Sequence, residues 1–155
     1  MVKIKIVSTG EFKDKHMKEV TAEFYKRLSR WCKVEEVNVC ECVPKNKNEI
    51  STCKKKEAEN QKTKLEGFVV VLDRRGQMID SVEFAKKIAD IQVQGNSTIT
   101  FLIGGSCGLD DEMLKLADLV LSFSKFTFPH ELMKLILAEQ IYRAFTIINN
   151  TSYHK

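Results

Sequence analysis

No run of about 18 apolar residues occurs anywhere in this chain, and Met1-Val2-Lys3 leads directly into an alternating strand pattern. Neither a membrane span nor a secretory signal is expected, and the cytoplasm is the expected location. Any CxxC pair is also missing. Cys32, Cys40, Cys42, Cys53 and Cys107 are an odd number of scattered cysteines, which argues against a disulfide framework and a zinc site and predicts free thiols and no metal. No GxGxxG opens the first helix, and Ser8-Thr9-Gly10 is too little to cradle a pyrophosphate, which counts against a dinucleotide-binding domain. Internal repeats and low-complexity linkers are absent too, so 155 residues predict one domain, 1–155, with one sizeable core.

What is present alternates strand and helix without interruption. Strands are predicted over 2–7, 34–39, 68–72, 98–103 and 119–121, with helices over 12–31, 47–64, 81–93, 110–117 and 130–148. Such alternation predicts an α/β fold with a mostly parallel sheet and helices on both faces. Phe68-Val69-Val70-Val71-Leu72 is unbroken and apolar, as a strand buried on both faces should be. Asn46, followed three residues later by Glu49, suggests a helix start.

The net charge of +4 permits a polyanionic partner without requiring one. In the first helix, Met17, Val20, Phe24, Leu28 and Trp31 share one arc, and Lys15, Lys18, Lys26, Arg30 and Lys33 the opposite one. Lys54, Lys55, Lys56, Lys62 and Lys64 crowd the second helix, giving a basic first half that suits phosphate tracking or simple solvation. The last helix is apolar over more than the roughly 100° stripe that a sheet would cover, from Leu132 to Ile148, which predicts a symmetric dimer or deep burial.

The second half carries the chemistry. The strand 98–103 runs straight into Gly104 and Gly105, where a backbone without Cβ can turn sharply or lie close to a ligand. The strand 119–121 likewise ends in a polar turn, 122–129, before the last helix. Adjacent strands ending in such loops form a crevice at their carboxyl ends, where open α/β sheets bind ligands.

The motifs Leu72-Asp73-x-Arg75-Gly76, Leu102-Ile103-Gly104-Gly105-x-x-Gly108, Leu121-Ser122-x-Ser124-Lys125-x-Thr127-x-Pro129-His130, Glu139-Gln140-Ile141-Tyr142-Arg143-Ala144 and Tyr153-His154-Lys155 resemble the bacterial large-subunit ribosomal RNA pseudouridine methyltransferase H family, of the SPOUT class. The likeness spans essentially the whole chain and is strongest from Phe68 onward. It implies a trefoil-knotted fold, with knot and cofactor site within about 68–155, and a homodimer. It further implies S-adenosylmethionine as methyl donor and N3 of a pseudouridine in 23S ribosomal RNA as acceptor, within the large subunit or the assembled ribosome.

Carried over by position, the resemblance implies a cofactor site of Leu72, Gly104, Gly105, Ser124, Lys125, Phe126, Thr127, Phe128 and Pro129. It implies catalytic or substrate-positioning work for Arg143, Tyr153, His154 and His130. Each also has a plainer use: Arg143 could pair with Glu139 along the helix, His130 could complete a helix start, and Tyr153 and His154 could fray. Ser152 stands where relatives often carry proline. The alternative function is that of a non-catalytic RNA-binding or ribosome-assembly protein, which would need the basic helix but no cofactor crevice.

Overall fold

A computed structural model describes residues 1–155. Its strands are β1 (Val2–Thr9), β2 (Cys32–Val39), β3 (Phe68–Met78), β4 (Thr98–Ile103) and β5 (Leu119–Ser122). Its helices are α1 (Lys15–Leu28), α2 (Ile50–Lys62), α3 (Ser81–Val93), α4 (Asp111–Leu116) and α5 (His130–Ile148), with a 3-10 turn, Lys47–Glu49, leading into α2. The five strands form one sheet in the order β2-β1-β4-β3-β5, and every pairing is parallel.

Period-two alternation divides the core. On one face Ile4, Ile6, Val70, Leu72, Ile99, Phe101 and Ile103 pack with Leu28 of α1, Phe84 and Ile88 of α3, and Leu137, Ile141 and Phe145 of α5. On the other face Val7, Val69, Val71 and Leu102 pack with Ala58 of α2 and Met113 of α4. Helices thus cover both faces, as expected. Because α1 and α2 cover opposite faces, however, the two basic runs do not merge into one stripe.

Local chemistry sets the helix limits. Asp14 caps α1 by accepting from the Met17 N–H at 3.0 Å, which starts that helix later than its apolar period suggests. Asp80 and Glu83 form a reciprocal capping box on α3. The predicted apolar arc of α1 is only partly used: Leu28 is buried, Val20 is 47% exposed, and Thr21 is buried instead with its hydroxyl donating to the Met17 carbonyl.

The fate of the cysteines differs from the expectation. Cys42 and Cys53 are joined by a disulfide that ties the loop after β2 to α2, whereas Cys32, Cys40 and Cys107 remain free. The pairing arises because α2 folds back under the end of β2, a tertiary proximity that no spacing motif encodes. No helix is long and apolar enough to cross a membrane.

β3 is longer than predicted. Leu72 and Gln77 both pair with Leu121 of β5, so residues 73–76 leave the ladder and the strand then resumes. Gly76 makes this possible, since a Cβ there would stand 2.6 Å from the Val120 carbonyl oxygen.

Candidate functional site

Leu72, Ile103 and Leu121 lie side by side on β3, β4 and β5, since Leu72 pairs with both of the others. They floor a cleft of about 780 Å³ at the carboxyl ends of these strands, within the range of small-molecule sites. One wall is the turn from Gly104 to Leu109, the other the segment from Phe123 to Pro129, and His130 and Met133 of α5 close the end. Asp73 and Arg74, in the excursion from β3, form the rim.

The first wall is a tight turn: the Gly108 N–H donates to the Gly105 carbonyl at 3.0 Å, and Gly108 has φ of 80°. The two preceding glycines serve close packing within the protein. A Cβ on Gly104 would stand 2.8 Å from Leu109 Cγ, and one on Gly105 3.0 Å from Glu41 Oε1. Their missing side chains therefore admit Leu109 and Glu41 against the turn, while both glycines also line the cleft.

The second wall is held by short-range hydroxyl bonds. Ser122 Oγ donates to the Ser124 carbonyl and Ser124 Oγ accepts from the Phe126 N–H, both at 3.0 Å. The N–H groups of Lys125, Thr127 and Phe128 make no hydrogen bond within the chain. Phe128 is half-buried on the lining, while Phe126 is 78% exposed at the lip. Apolar floor, free amide donors and glycine turn together suit a flat heteroaromatic ring read along its edge.

Charge is arranged around the rim. The Asp73 carboxyl is pushed up by burial, but hydrogen bonds from Arg75 outweigh this and hold it below its ordinary value. Arg75 grips both Asp73 oxygens, at 2.9 and 3.1 Å, and reaches Asp111 at 3.0 Å, which pins the excursion to α4. His130 lines the end of the cleft, while its Nε2 is buried without a hydrogen-bond partner on the side of Gly10 and Glu41.

The sequence-predicted residues fall into two places. Leu72, Gly104, Gly105, Ser124, Phe126, Thr127, Phe128, Pro129 and His130 all line the cleft, while Lys125 is exposed and outside the lining. Arg143, Tyr153 and His154 gather further along α5, about 20 Å from His130 at 1.5 Å per helical residue. There Arg143 Nε donates to Glu139 Oε1 at 3.0 Å, Tyr153 OH donates to the same oxygen at 3.1 Å, and the guanidinium lies 4.8 Å from the Tyr153 ring centre. The helical ion pair considered from the sequence is therefore real, and it shares its carboxylate with the tail.

Tyr153 packs edge-on against Tyr142 at 4.8 Å. The tail keeps this course despite Ser152 because α5 ends in a Schellman arrangement: Asn150 has φ of 52°, its N–H donates to Ile147, and the Thr151 N–H donates to Thr146. Asp73, Arg74, Ser106 and Met133 line the cleft without having been singled out as site residues. The position of Asp73 and Arg74 just beyond a buried strand was the available signal.

Comparison with known proteins gives a consistent picture. A family model described as "Predicted SPOUT methyltransferase" matches residues 2–154. A "Ribosomal RNA large subunit methyltransferase H" of Ruminiclostridium cellulolyticum is 45% identical over 159 residues, covering 99% of this chain and all of the relative. Proteins of the same name from Acetivibrio thermocellus and Finegoldia magna are each 46% identical, covering 99% and 98% of this chain and 100% and 99% of their own. Among solved structures, a probable methylase family protein of Haemophilus influenzae has a similar fold, with a TM-score of 0.54 at 17% identity over 99% of this chain and 70% of its own.

Proposed function

The chain belongs to the SPOUT methyltransferase family, and from that premise we propose that it methylates ribosomal RNA of the large subunit with S-adenosylmethionine as donor. The observation that carries this reading is a cleft at the carboxyl ends of β3, β4 and β5, in a chain matched end to end by relatives bearing that name. The finer target is N3 of a pseudouridine in 23S ribosomal RNA, in the subunit or the assembled ribosome. The working unit is a cytoplasmic homodimer of single-domain chains with the trefoil knot in about 68–155.

The residues present fit such a donor. The cleft is of suitable size, Leu72, Ile103 and Leu121 supply an apolar floor, and the N–H groups of Thr127 and Phe128 are free to meet a purine edge. When bound, the donor supplies an already activated methyl group, so this chain need supply only alignment and a dry site. The glycine turn and the 123–129 segment enclose it, and α5 closes one end.

The N3 proton of the acceptor has to leave. We assign that step to His130, whose side chain lines the cleft. Arg143 lies far along α5 from the cleft, and Tyr153 and His154, beyond the helix end, fold back onto Glu139 and Arg143, so the tail serves the cleft of the second subunit. The half-buried apolar side chains Leu132, Leu135, Ile136, Ile147 and Ile148 of α5 supply the dimer contact.

Calorimetric titration with S-adenosylmethionine tests the donor site, and mass spectrometry of 23S ribosomal RNA from a deletion strain tests the acceptor. Saturable binding together with loss of one methylated pseudouridine is expected. An unchanged RNA profile would refute the acceptor, and absence of binding would refute the donor.

A further inference from the structure

Glu41 stands outside the cleft but touches its wall from behind. It follows β2 and reaches across 65 residues of sequence, where Oε1 accepts from both the backbone N–H and the hydroxyl of Ser106, at 3.0 and 2.7 Å. Two glycine faces are given over to the same carboxylate: a Cβ on Gly105 would meet Oε1, and one on Gly10 would meet Oε2, each at 3.0 Å. That imaginary Gly10 Cβ would also stand 3.3 Å from His130 Nε2. One carboxylate therefore lies where the ends of β1, β2 and β4 and the start of α5 converge.

Glu41 is itself held firmly. The neighbouring Cys42 N–H donates to Glu57 of α2 at 2.8 Å, and Cys42 is bonded to Cys53 of the same helix. Beneath Gly10, Lys134 of α5 is fully buried and donates to the Gly10 carbonyl at 2.6 Å. Burial pushes the Glu41 carboxyl up, but the hydrogen bonds from Ser106, with His130 and Lys13 nearby, outweigh it and keep it below its ordinary value.

We propose that Glu41 is the positioning residue of the methyl-donor site, fixing the Gly105–Ser106 backbone, and with it the glycine wall, through its paired hydrogen bonds to Ser106. The inference rests on the proposed donor cleft and adds to it a group that touches neither donor nor acceptor. A wall turn with few bonds of its own needs an external anchor if it is to present a fixed surface before a ligand arrives. Geometry carries the role more than charge does, so an amide oxygen at the same reach should serve, whereas a side chain one methylene shorter should not.

The test is calorimetric titration of the intact protein with S-adenosylmethionine, comparing Glu41→Ala, Glu41→Gln and Glu41→Asp with the unaltered chain. Donor binding should weaken about tenfold or more in E41A, and by about threefold or less in E41Q, with E41D weaker than E41Q. In methylation assays E41A should raise KM for the donor while kcat and KM for the RNA stay within about twofold. A purely structural role would lower the unfolding midpoint of E41A and leave the affinity of its folded fraction unchanged, which would overturn the proposal. Should E41A not fold, the order of E41Q and E41D decides, and unaltered affinity in E41D would overturn it equally. If the unaltered chain binds no donor, the donor site fails and the role of Glu41 falls with it, whereas donor binding by the unaltered chain with equal affinity in folded E41A overturns the role of Glu41 alone.

Discussion

Arg143 and His154 meet through a 3.2 Å contact between guanidinium Nη1 and imidazole Nδ1. A guanidinium only donates, so Nδ1 is the acceptor in this contact. The contact ties His154 to Arg143, which fits the proposal that His154 orients the acceptor base while His130 takes the proton.

Removing Tyr153, His154 and Lys155 should therefore separate the two functions. Donor affinity is expected to stay within about twofold, because none of the three lines the cleft of its own chain, whereas methyl transfer should fall by about a hundredfold or more. Titration calorimetry beside a tritium-transfer assay on ribosomes reads both. Loss of donor affinity in step with activity would contradict the separation.

Gly76→Ala should destabilise the protein by about 1–3 kcal/mol, because the new methyl group would enter the Val120 carbonyl, where only backbone movement can make room. Urea denaturation gives the value. Since the same contact sets the 73–76 excursion, any folded variant should also lose donor affinity.

Thiol chemistry offers a direct check on the disulfide. Without reductant, the native protein should react at Cys40 and Cys107 and spare Cys32, whose thiol burial pushes up to about 12. Unfolding without reductant should expose one more thiol, and unfolding with reductant all five. Cys53→Ser should cost about 2–3 kcal/mol when oxidised, and little when both proteins are reduced.

Acid should unfold the protein partly through carboxyls whose folded pKa is lowered. Glu131 accepts from the Asp14 N–H at 2.9 Å and also from the Lys13 N–H, and these bonds hold its carboxyl below the ordinary 4.5. A lowered folded value means that the unfolded chain binds more protons as pH falls. The stabilisation is thus complete above about pH 5 and lost as pH drops through the folded value. Melting temperatures of Glu131→Gln should consequently fall less steeply below pH 4.5 than those of the unaltered chain.

Much of the scaffold could be read before any coordinates. The strand 98–103 and the helices 81–93 and 130–148 have the limits expected from their apolar patterns. The last six residues of β3 escaped notice because Asp73-Arg74-Arg75-Gly76 interrupts the apolar pattern, and only pairing with β5 restores the strand. Strand order was equally hidden, since β4 sits between β1 and β3 through contacts that local sequence does not encode.

The cleft was legible because glycine and proline punctuate its walls and because strand ends in α/β sheets attract ligands. Glu41 was not: it is one of 21 acidic residues, and its partner Ser106 is 65 positions away. The distance between His130 and the Arg143–His154 group was hidden too. Sequence order places these residues in one C-terminal stretch, whereas α5 separates His130 from Arg143 by 13 residues, about 20 Å at 1.5 Å per residue.

The floor of the cleft has a consequence for biogenesis. Leu72, Ile103 and Leu121 come from strands that are neighbours in space but are completed in succession as the chain grows, and His130 and Met133 follow later still. A ribosome emitting this polypeptide from its N-terminus must release 133 of its 155 residues before a donor could be retained. Loop closure over such separations is slow compared with local helix formation, so newly made chains pass through a ligand-blind interval, and added donor should slow unfolding far more than it speeds refolding.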